Sequence, residues 1–313
     1  MQGSLSIFED KPLSENRSFS NLWNMRAENL IKEEKDFYTL ETRGERTYRT
    51  TPPLPFQGNK RNHIKNLLRF LQLKGFDESF TYFDVFGGSG IISHNIKFKY
   101  PKAEVIYNDF DYYTQRLKIL PYTNEIMSRI DNEVVKGNYK VNEKISEMDK
   151  AEILKIFADY PNDKIDFLTL TSAFSYSGFY KGSIKNFLNS QFFYKKTKIQ
   201  RKADGYLKDV KIIHKDFKEV LKMADAHKGK KLLILDPPYL LTDLSAYSKC
   251  DWRLTDFLYL IKNIKPPFIF FSSEKSQIRE LFEFLGIEIE IINSSATYKT
   301  RGGTSKDYFF YKG

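Results

Sequence analysis

The sequence predicts an α/β protein with a Rossmann-like, doubly wound sheet, and three observations support that prediction. Seven short runs rich in β-branched and aromatic residues are predicted strands: Thr81–Phe86, Glu104–Asp109, Val210–Lys215, Lys231–Leu235, Phe268–Ser272, Glu288–Asn293 and Asp307–Lys312. Leu232–Leu235 and Phe268–Phe271 are apolar on both faces, as central strands of a mostly parallel sheet are. Amphipathic segments alternate with the strands, as is typical of doubly wound folds: Asn62–Lys74, Thr255–Asn263 and Glu274–Leu285.

The turn after the first predicted strand is rich in glycine, with the sequence FGGSG at Phe86–Gly90. Glycine lets the backbone turn tightly and approach a ligand, and the helix predicted to begin at Ile91 offers free N–H groups. The turn is therefore a candidate ligand-binding loop, although a turn that only connects the two elements has the same composition.

Asp109 follows the second predicted strand, in the sequence YNDFD at Tyr107–Asp111, about 20 residues after the glycines. An acidic side chain at this place can accept hydrogen bonds from both ribose hydroxyls of an adenosine-containing cofactor. The alternative role for Asp109 is the N-cap of the next helix.

A long segment separates the second and third predicted strands. Between Asp109 and Val210 lie about a hundred residues, far more than a crossover helix requires. The segment has helical patterns at Glu125–Ile130 and Glu143–Phe157, followed by an aromatic and basic stretch. The predicted organisation is an N-terminal extension of unassigned role at 1–50, an α/β domain at 51–114 and 206–313, and an inserted helical and aromatic subdomain at 115–205.

The composition favours a nucleic acid as partner without establishing one. The 313 residues carry 50 Lys and Arg against 40 Asp and Glu, together with 27 Phe and 20 Tyr that can fill a core or stack on bases. The single cysteine, Cys250, excludes an internal disulfide, and the four histidines lack metal-ligand spacing, so no metal is expected. No apolar run is long enough to span a bilayer and the first residues are unlike a signal peptide, which predicts a cytoplasmic protein without membrane contact.

The sequence LLILDPPY at Leu232–Tyr239 places a carboxylate, two prolines and an aromatic ring at the end of a buried strand. A purine amino group is a poor nucleophile because its lone pair is delocalised into the ring. Asp236 and the carbonyl of Pro237 can accept its two N–H bonds and so turn the lone pair toward a methyl donor. The prolines stiffen the turn and the tyrosine can stack on the base. The candidate catalytic residues are therefore Asp236, Pro237, Pro238 and Tyr239. The alternative is a plain turn that contains proline.

Together these motifs resemble the Dam-type adenine DNA methyltransferases of the α group, over about residues 52–313. DPPY matches the catalytic tetrad of that family and FGGSG its F-x-G-x-G cofactor loop. Pro55–Leu68 looks like the family's first motif, and His214–Leu221 looks like its Asp-Phe pair beside the cofactor adenine. The resemblance implies a Rossmann-like class I methyltransferase sheet and S-adenosylmethionine as cofactor, with contacts from Phe56, Gly58, Lys60, Phe86, Gly88, Gly90, Asp109, Asp216, Phe217 and Asp236.

The resemblance also implies that the inserted subdomain recognises double-stranded DNA and that the target adenine leaves the duplex. Ser172–Lys202 does not clearly reproduce the recognition hairpin of family members that read GATC, so no target sequence is predicted. Its interleaved aromatic residues and lysines suit phosphate contact and stacking, and the alternative is a small aromatic core with a solvated basic face. The candidate DNA contacts are Lys195, Lys196, Lys198, Arg201, Lys202 and Arg301. Arg301 lies outside this segment and is followed by two glycines, Gly302 and Gly303.

Other functions remain open at this stage. Methylation of adenine in RNA, or of the exocyclic amine of cytosine, would use the same catalytic loop, and a DNA-binding relative without activity would keep the basic surface. The intact FGGSG and DPPY motifs favour an enzyme that acts on adenine in DNA. The family resemblance implies a bacterial or phage-encoded protein, for which a restriction endonuclease acting on the same site would be a natural partner.

Overall fold

The computed structural model describes residues 42–43, 46–56, 58, 60–174, 191–195, 200–238, 252–273, 276–300 and 303–313, with the backbone alone for 42–43, 46–47, 135, 293–300 and 303–306. The chain divides into two compact units, Met1–Gly44 and Glu45–Gly313. Two short strands, Thr42–Arg43 and Arg46–Thr47, precede the main sheet, which lies wholly within the second unit.

The main sheet has seven strands: β1 Thr81–Asp84, β2 Glu104–Asn108, β3 Lys211–Ile213, β4 Lys231–Leu235, β5 Phe268–Ser273, β6 Glu290–Thr300 and β7 Gly303–Lys312. Their order across the sheet is β3-β2-β1-β4-β5-β7-β6. The first five are parallel to one another, whereas β7 runs antiparallel to both β5 and β6. All seven strands were predicted from the sequence, and the predicted fold class is confirmed.

The central strands are buried for the reason that their sequences indicated. Every residue of β5 is buried, as are the last four residues of β4, because helices cover both faces of a parallel sheet. The sequence predicted the end of β6 too early, at Asn293. The register between β6 and β7 shifts between Asn293 and Thr297, and the intervening serines and alanine have little intrinsic preference for a strand.

The helices of the described residues are α1 Ile64–Leu73, α2 Ile91–Lys99, α3 Tyr113–Lys118, α4 Leu120–Lys136, α5 Glu147–Ala158, α6 Phe167–Phe174, α7 Phe217–Ala226, α8 Leu254–Asn263 and α9 Ile278–Phe284, with 3₁₀ turns at Arg61–His63 and Asn162–Lys164. The helix predicted over Glu143–Phe157 begins only at Glu147, because Ser146 caps it by accepting from the Asp149 N–H at 3.0 Å. Within the described ranges, none of these helices is both long and apolar enough to cross a membrane.

Two apolar clusters are separate from each other. One surrounds β1, β4 and β5 and includes Phe83, Leu233, Phe257, Phe268, Phe270 and Phe282. The other joins α4, α5 and α6 to Phe192, and includes Ile126, Ile130, Ile153, Phe157, Leu170 and Phe174. The second cluster falls within the range predicted for the inserted subdomain, whose boundaries remain a prediction.

A buried ion pair joins α3 to the segment before α6, and its arginine also reaches the Pro55 carbonyl of the α/β part. The Arg116 guanidinium of α3 binds both oxygens of Asp166, just before α6, at 3.0 and 3.1 Å. It also donates to the carbonyl of Pro55 at 3.0 Å and to the Thr169 hydroxyl at 3.2 Å. Asp166 is 4% exposed, so water cannot replace these bonds.

We therefore expect Asp166→Asn to lower the free energy of unfolding by about 3 kcal/mol, because the substitution leaves the Arg116 charge buried without its counterion. Asp163→Asn is the matched control: it is the same substitution at a carboxylate that is 73% exposed, and we expect a change within about 0.5 kcal/mol. Urea unfolding of both variants measures the difference. Equal losses of stability in the two variants would contradict a stabilising role for the ion pair of Arg116 with Asp166.

Candidate active site

A cavity of about 280 Å³ opens at the carboxyl ends of β1, β2 and β4, the edge at which doubly wound sheets bind ligands. Two residues predicted to be catalytic, Asp236 and Pro238, are in its lining. Gly90 and Asp109, which were predicted to contact the cofactor, are not. The lining includes the other eight residues predicted to contact the cofactor: Phe56, Gly58, Lys60, Phe86, Gly88, Asp216, Phe217 and Asp236.

The glycine turn between β1 and α2 packs closely against the wall of this cavity. Gly88 has a φ of 50° and Gly90, the N-cap of α2, has a φ of 73°, both in the left-handed region that favours glycine. A Cβ atom on Gly88 would lie 2.8 Å from the Phe56 ring. Gly90 closes the turn by donating its N–H to the Gly87 carbonyl at 2.7 Å, which accounts for its place outside the lining.

Asp109 caps a helix instead of facing the cavity. One carboxylate oxygen accepts from the Tyr113 N–H at 2.6 Å and from the Tyr107 hydroxyl at 3.1 Å. The other accepts from the Thr114 N–H at 2.9 Å and from its hydroxyl at 2.5 Å. Asp109 is 0% exposed. Its carboxylate satisfies N–H groups in the first turn of α3 although the N-cap residue of that helix is Tyr112, so its role is close to the N-cap alternative and its contacts do not support the predicted ribose contact. Asp111, two residues further on, lines the cavity in its place.

An aromatic group forms one part of the cavity wall. Phe86 and Phe217 stack with their ring centroids 5.6 Å apart and their planes at 29°. Trp252 packs against Phe217 at 5.1 Å and edge-on against Phe86 at 5.6 Å. The Trp252 Nε1 is buried with no hydrogen-bond partner among the described residues. Trp252 and the half-exposed Phe110 both line the cavity and were not predicted from the sequence. The position of Phe110 inside the YNDFD motif could have indicated its place in the site.

Asp236 makes an ion pair in the cavity wall. Its Oδ2 lies 2.8 Å from the Nζ of Lys60, which also donates to the Gly58 carbonyl at 3.0 Å. Burial raises the pKa of the Asp236 carboxyl above its ordinary value, and the charge of Lys60 opposes that rise. Pro237 and Pro238 behind it are buried. Lys60, predicted to bind the cofactor, therefore holds the candidate catalytic carboxylate.

A second carboxylate, Asp84 at the end of β1, was not identified from the sequence. Burial, with a smaller contribution from the nearby charge of Asp236, raises the pKa of Asp84 to about 7. The Ser93 hydroxyl, which donates to Oδ2 at 2.6 Å, opposes that rise. The Oδ1 of Asp84 is buried and accepts no hydrogen bond from any described residue. The signal available in the sequence was an acidic residue that ends a buried strand directly before the glycine turn.

The candidate DNA contacts have mixed placements. Lys202 is exposed, and Lys195 is half-buried with its pKa lowered by that burial. Arg201 is half-buried and donates from Nη1 to the Pro53 carbonyl at 3.3 Å, so its contacts do not support the predicted phosphate contact. Tyr239, Lys196, Lys198 and Arg301 lie outside the described residues.

The chain is similar to known proteins over most of its length. The profile of the D12 class N6 adenine-specific DNA methyltransferase family matches residues 56–298, which run from the cavity residue Phe56 into β6. A protein of Haemophilus influenzae, provisionally described as a methyltransferase, is 37% identical over 237 residues, which are 74% of this chain and 79% of that protein. The chain belongs to the D12 class of N6 adenine-specific DNA methyltransferases.

Proposed function

We propose that this protein transfers a methyl group from S-adenosylmethionine to N6 of an adenine that is flipped out of double-stranded DNA. The observation that carries the proposal is the pairing of Asp236 with Lys60 in the wall of the cavity, at the end of β4. Two buried prolines follow the carboxylate, and they restrict the backbone of the turn and remove two competing N–H donors.

Asp236 and the Pro237 carbonyl act together on the amino group of the base. Each accepts one N–H bond, which draws the nitrogen toward tetrahedral geometry and frees its lone pair for attack. Asp236 is a full acceptor only when it is ionised, and Lys60 favours that form against the effect of burial. Lys60 also fixes the direction of the carboxylate, because its ammonium is held by the Gly58 carbonyl as well.

The residues of the cavity fit S-adenosylmethionine by their chemistry. The rings of Phe86, Phe217 and Trp252 offer an apolar wall for the adenine. Asp111, which lines the cavity, suits the ribose hydroxyls. When bound, S-adenosylmethionine would supply a methyl group activated by its sulfonium: the bond from N6 to the methyl carbon forms as the S–C bond breaks, the neutral thioether leaves, and the amino group gives up one proton, which Asp236 can accept.

The target adenine has to leave the double helix because its amino group is otherwise engaged in a base pair. The net charge of +10 supports attraction to the phosphates of DNA. Transfer of labelled methyl groups from S-adenosylmethionine to duplex DNA, followed by nucleoside analysis, tests the proposal. Label in cytosine, label only in RNA, or no transfer would overturn it.

Asp236→Ala should reduce methyl transfer by several orders of magnitude, because the amino group loses its charged acceptor. Binding of S-adenosylmethionine should fall much less, since the glycine turn and the aromatic wall are unchanged. Asp225→Ala is the control, an exposed carboxylate of α7 that pairs with Lys265 away from the cavity. Single-turnover transfer and calorimetry measure the two effects, and wild-type turnover in Asp236→Ala would exclude the mechanism.

Asp111→Asn should weaken binding of S-adenosylmethionine by about 1.5–3 kcal/mol, the contribution of hydrogen bonds to a charged group. Asp109→Asn should instead lower the free energy of unfolding, because it disrupts the cap of α3. Calorimetry and urea unfolding are run on both variants. The opposite pattern, with affinity lost only in Asp109→Asn, would return the ribose contact to Asp109.

Lys202→Ala should reduce the slope of log affinity for DNA against log salt concentration by about 0.9, because one phosphate contact is lost. Lys265→Ala removes the same charge just before β5, at the amino edge of the sheet, and should leave the slope unchanged. Binding across a salt series measures both slopes. An unchanged slope in Lys202→Ala would show that this part of the chain does not face DNA.

A further inference from the structure

A buried histidine lies close to the catalytic carboxylate and has no role in the mechanism described above. His63 ends the 3₁₀ turn before α1, three residues after Lys60, and is 1% exposed. Neither ring nitrogen makes a hydrogen bond with any described residue. Its Nε2 lies 3.8 Å from Oδ2 of Asp307, whose side chain is 18% exposed.

This arrangement suits an interaction by charge. The separation is too long for a hydrogen bond but short enough for attraction between an imidazolium and a carboxylate. A buried imidazole without hydrogen bonds is otherwise costly, so its retention in the interior calls for a compensating role. Asp307 pairs with Ser273 across β7 and β5, which puts its carboxylate at the same edge of the sheet as Asp236.

One aromatic ring links this pair to the catalytic ion pair. The His63 ring packs edge-on against Phe271, with centroids 5.5 Å apart. The Lys60 ammonium lies 5.9 Å from the centroid of the same ring, and it binds Asp236 at 2.8 Å. Phe271 therefore lies against both His63 and Lys60, beside the carboxyl ends of β4 and β5.

We infer that His63 and Asp307 are a positioning pair for the proposed methyl transfer, with opposite charges that act on the ionisation of the catalytic Asp236. His63, when protonated, favours the ionised acceptor, and Asp307 opposes it. The inference rests on the proposed function, because it requires Asp236 to work as an ionised hydrogen-bond acceptor.

The electrostatics of Asp236 agree in sign. Burial raises its pKa and the charge of Lys60 lowers it; beyond these, the charge of His63 lowers the pKa and that of Asp307 raises it. Asp84 at the end of β1 is the further described carboxylate coupled to Asp236. Because Asp236 must lose its proton to act, a change in its pKa moves the pH below which methyl transfer fails.

The test is the acid limb of single-turnover methyl transfer, measured against pH with saturating S-adenosylmethionine and duplex DNA. His63→Gln should move the midpoint of the limb to higher pH, because a positive charge beside Asp236 is lost. Asp307→Asn should move it to lower pH, because a negative charge is lost. Each shift should be about 0.5–1 unit, within the ordinary spread of carboxyl pKa values in proteins. The KM for S-adenosylmethionine should stay unchanged in both.

His227→Gln is the matched control for the histidine. His227 also packs edge-on against a phenylalanine, Phe83, with centroids 5.7 Å apart, but it follows α7, outside the residues that line the cavity. The acid limb of methyl transfer by His227→Gln should have the same midpoint as that of the wild type. Urea unfolding checks that each variant folds, and if His63→Gln does not, the partly exposed Asp307→Asn still tests the sign.

Shifts of the same sign, or a fall in kcat with an unmoved acid limb, would assign the pair a structural role and overturn the inference. Failure of the proposed function would give different experimental results. In that case the wild type transfers no methyl group, or Asp236→Asn keeps full turnover, whatever happens at His63 and Asp307.

Discussion

The ion pair between Lys60 and Asp236 is the interaction on which the arrangement of the site depends. It joins the segment before α1 to the end of β4, and so closes the cavity between parts of the chain that are far apart in sequence. A carboxylate at that depth resists ionisation, since burial raises its pKa. A cation held by its own backbone neighbour, the Gly58 carbonyl, offsets that cost without filling the cavity.

The parallel sheet explains why so many carboxylates meet at one place. The strands β1 and β4 end at the same edge, and β7 passes it in the opposite direction, which brings Asp84, Asp236 and Asp307 near one another. Such crowding raises the pKa of carboxylates and is unfavourable for stability alone. Sites of this kind are expected where ionisation has a use, and the proposed methyl transfer gives the ionised form of Asp236 such a use.

The helical region is attached to this framework through a few specific contacts. It has an apolar cluster of its own, and the bidentate pair of Arg116 with Asp166 links it to α3 and to the Pro55 carbonyl, next to the cavity residue Phe56. Separate packing suits the DNA-recognition role proposed for this region, because its adjustment to a duplex would leave the cavity unchanged.

The sequence by itself determined the strands, nine of the nineteen residues that line the cavity, and the place of the candidate catalytic aspartate. Strands such as Leu232–Leu235 are apolar on both faces, and that periodicity is local information. Only the tertiary structure decided which polar side chains face the cavity. Asp109 and Asp111 stand in the same motif, and the sequence does not distinguish their roles. In the structure the Asp109 carboxylate accepts hydrogen bonds from N–H groups in the first turn of α3, whereas Asp111 lines the cavity. Arg201 is one of a run of basic residues, yet it donates to the Pro53 carbonyl. The contact of His63 with Asp307 joins opposite ends of the domain, and no local pattern encodes such a distance.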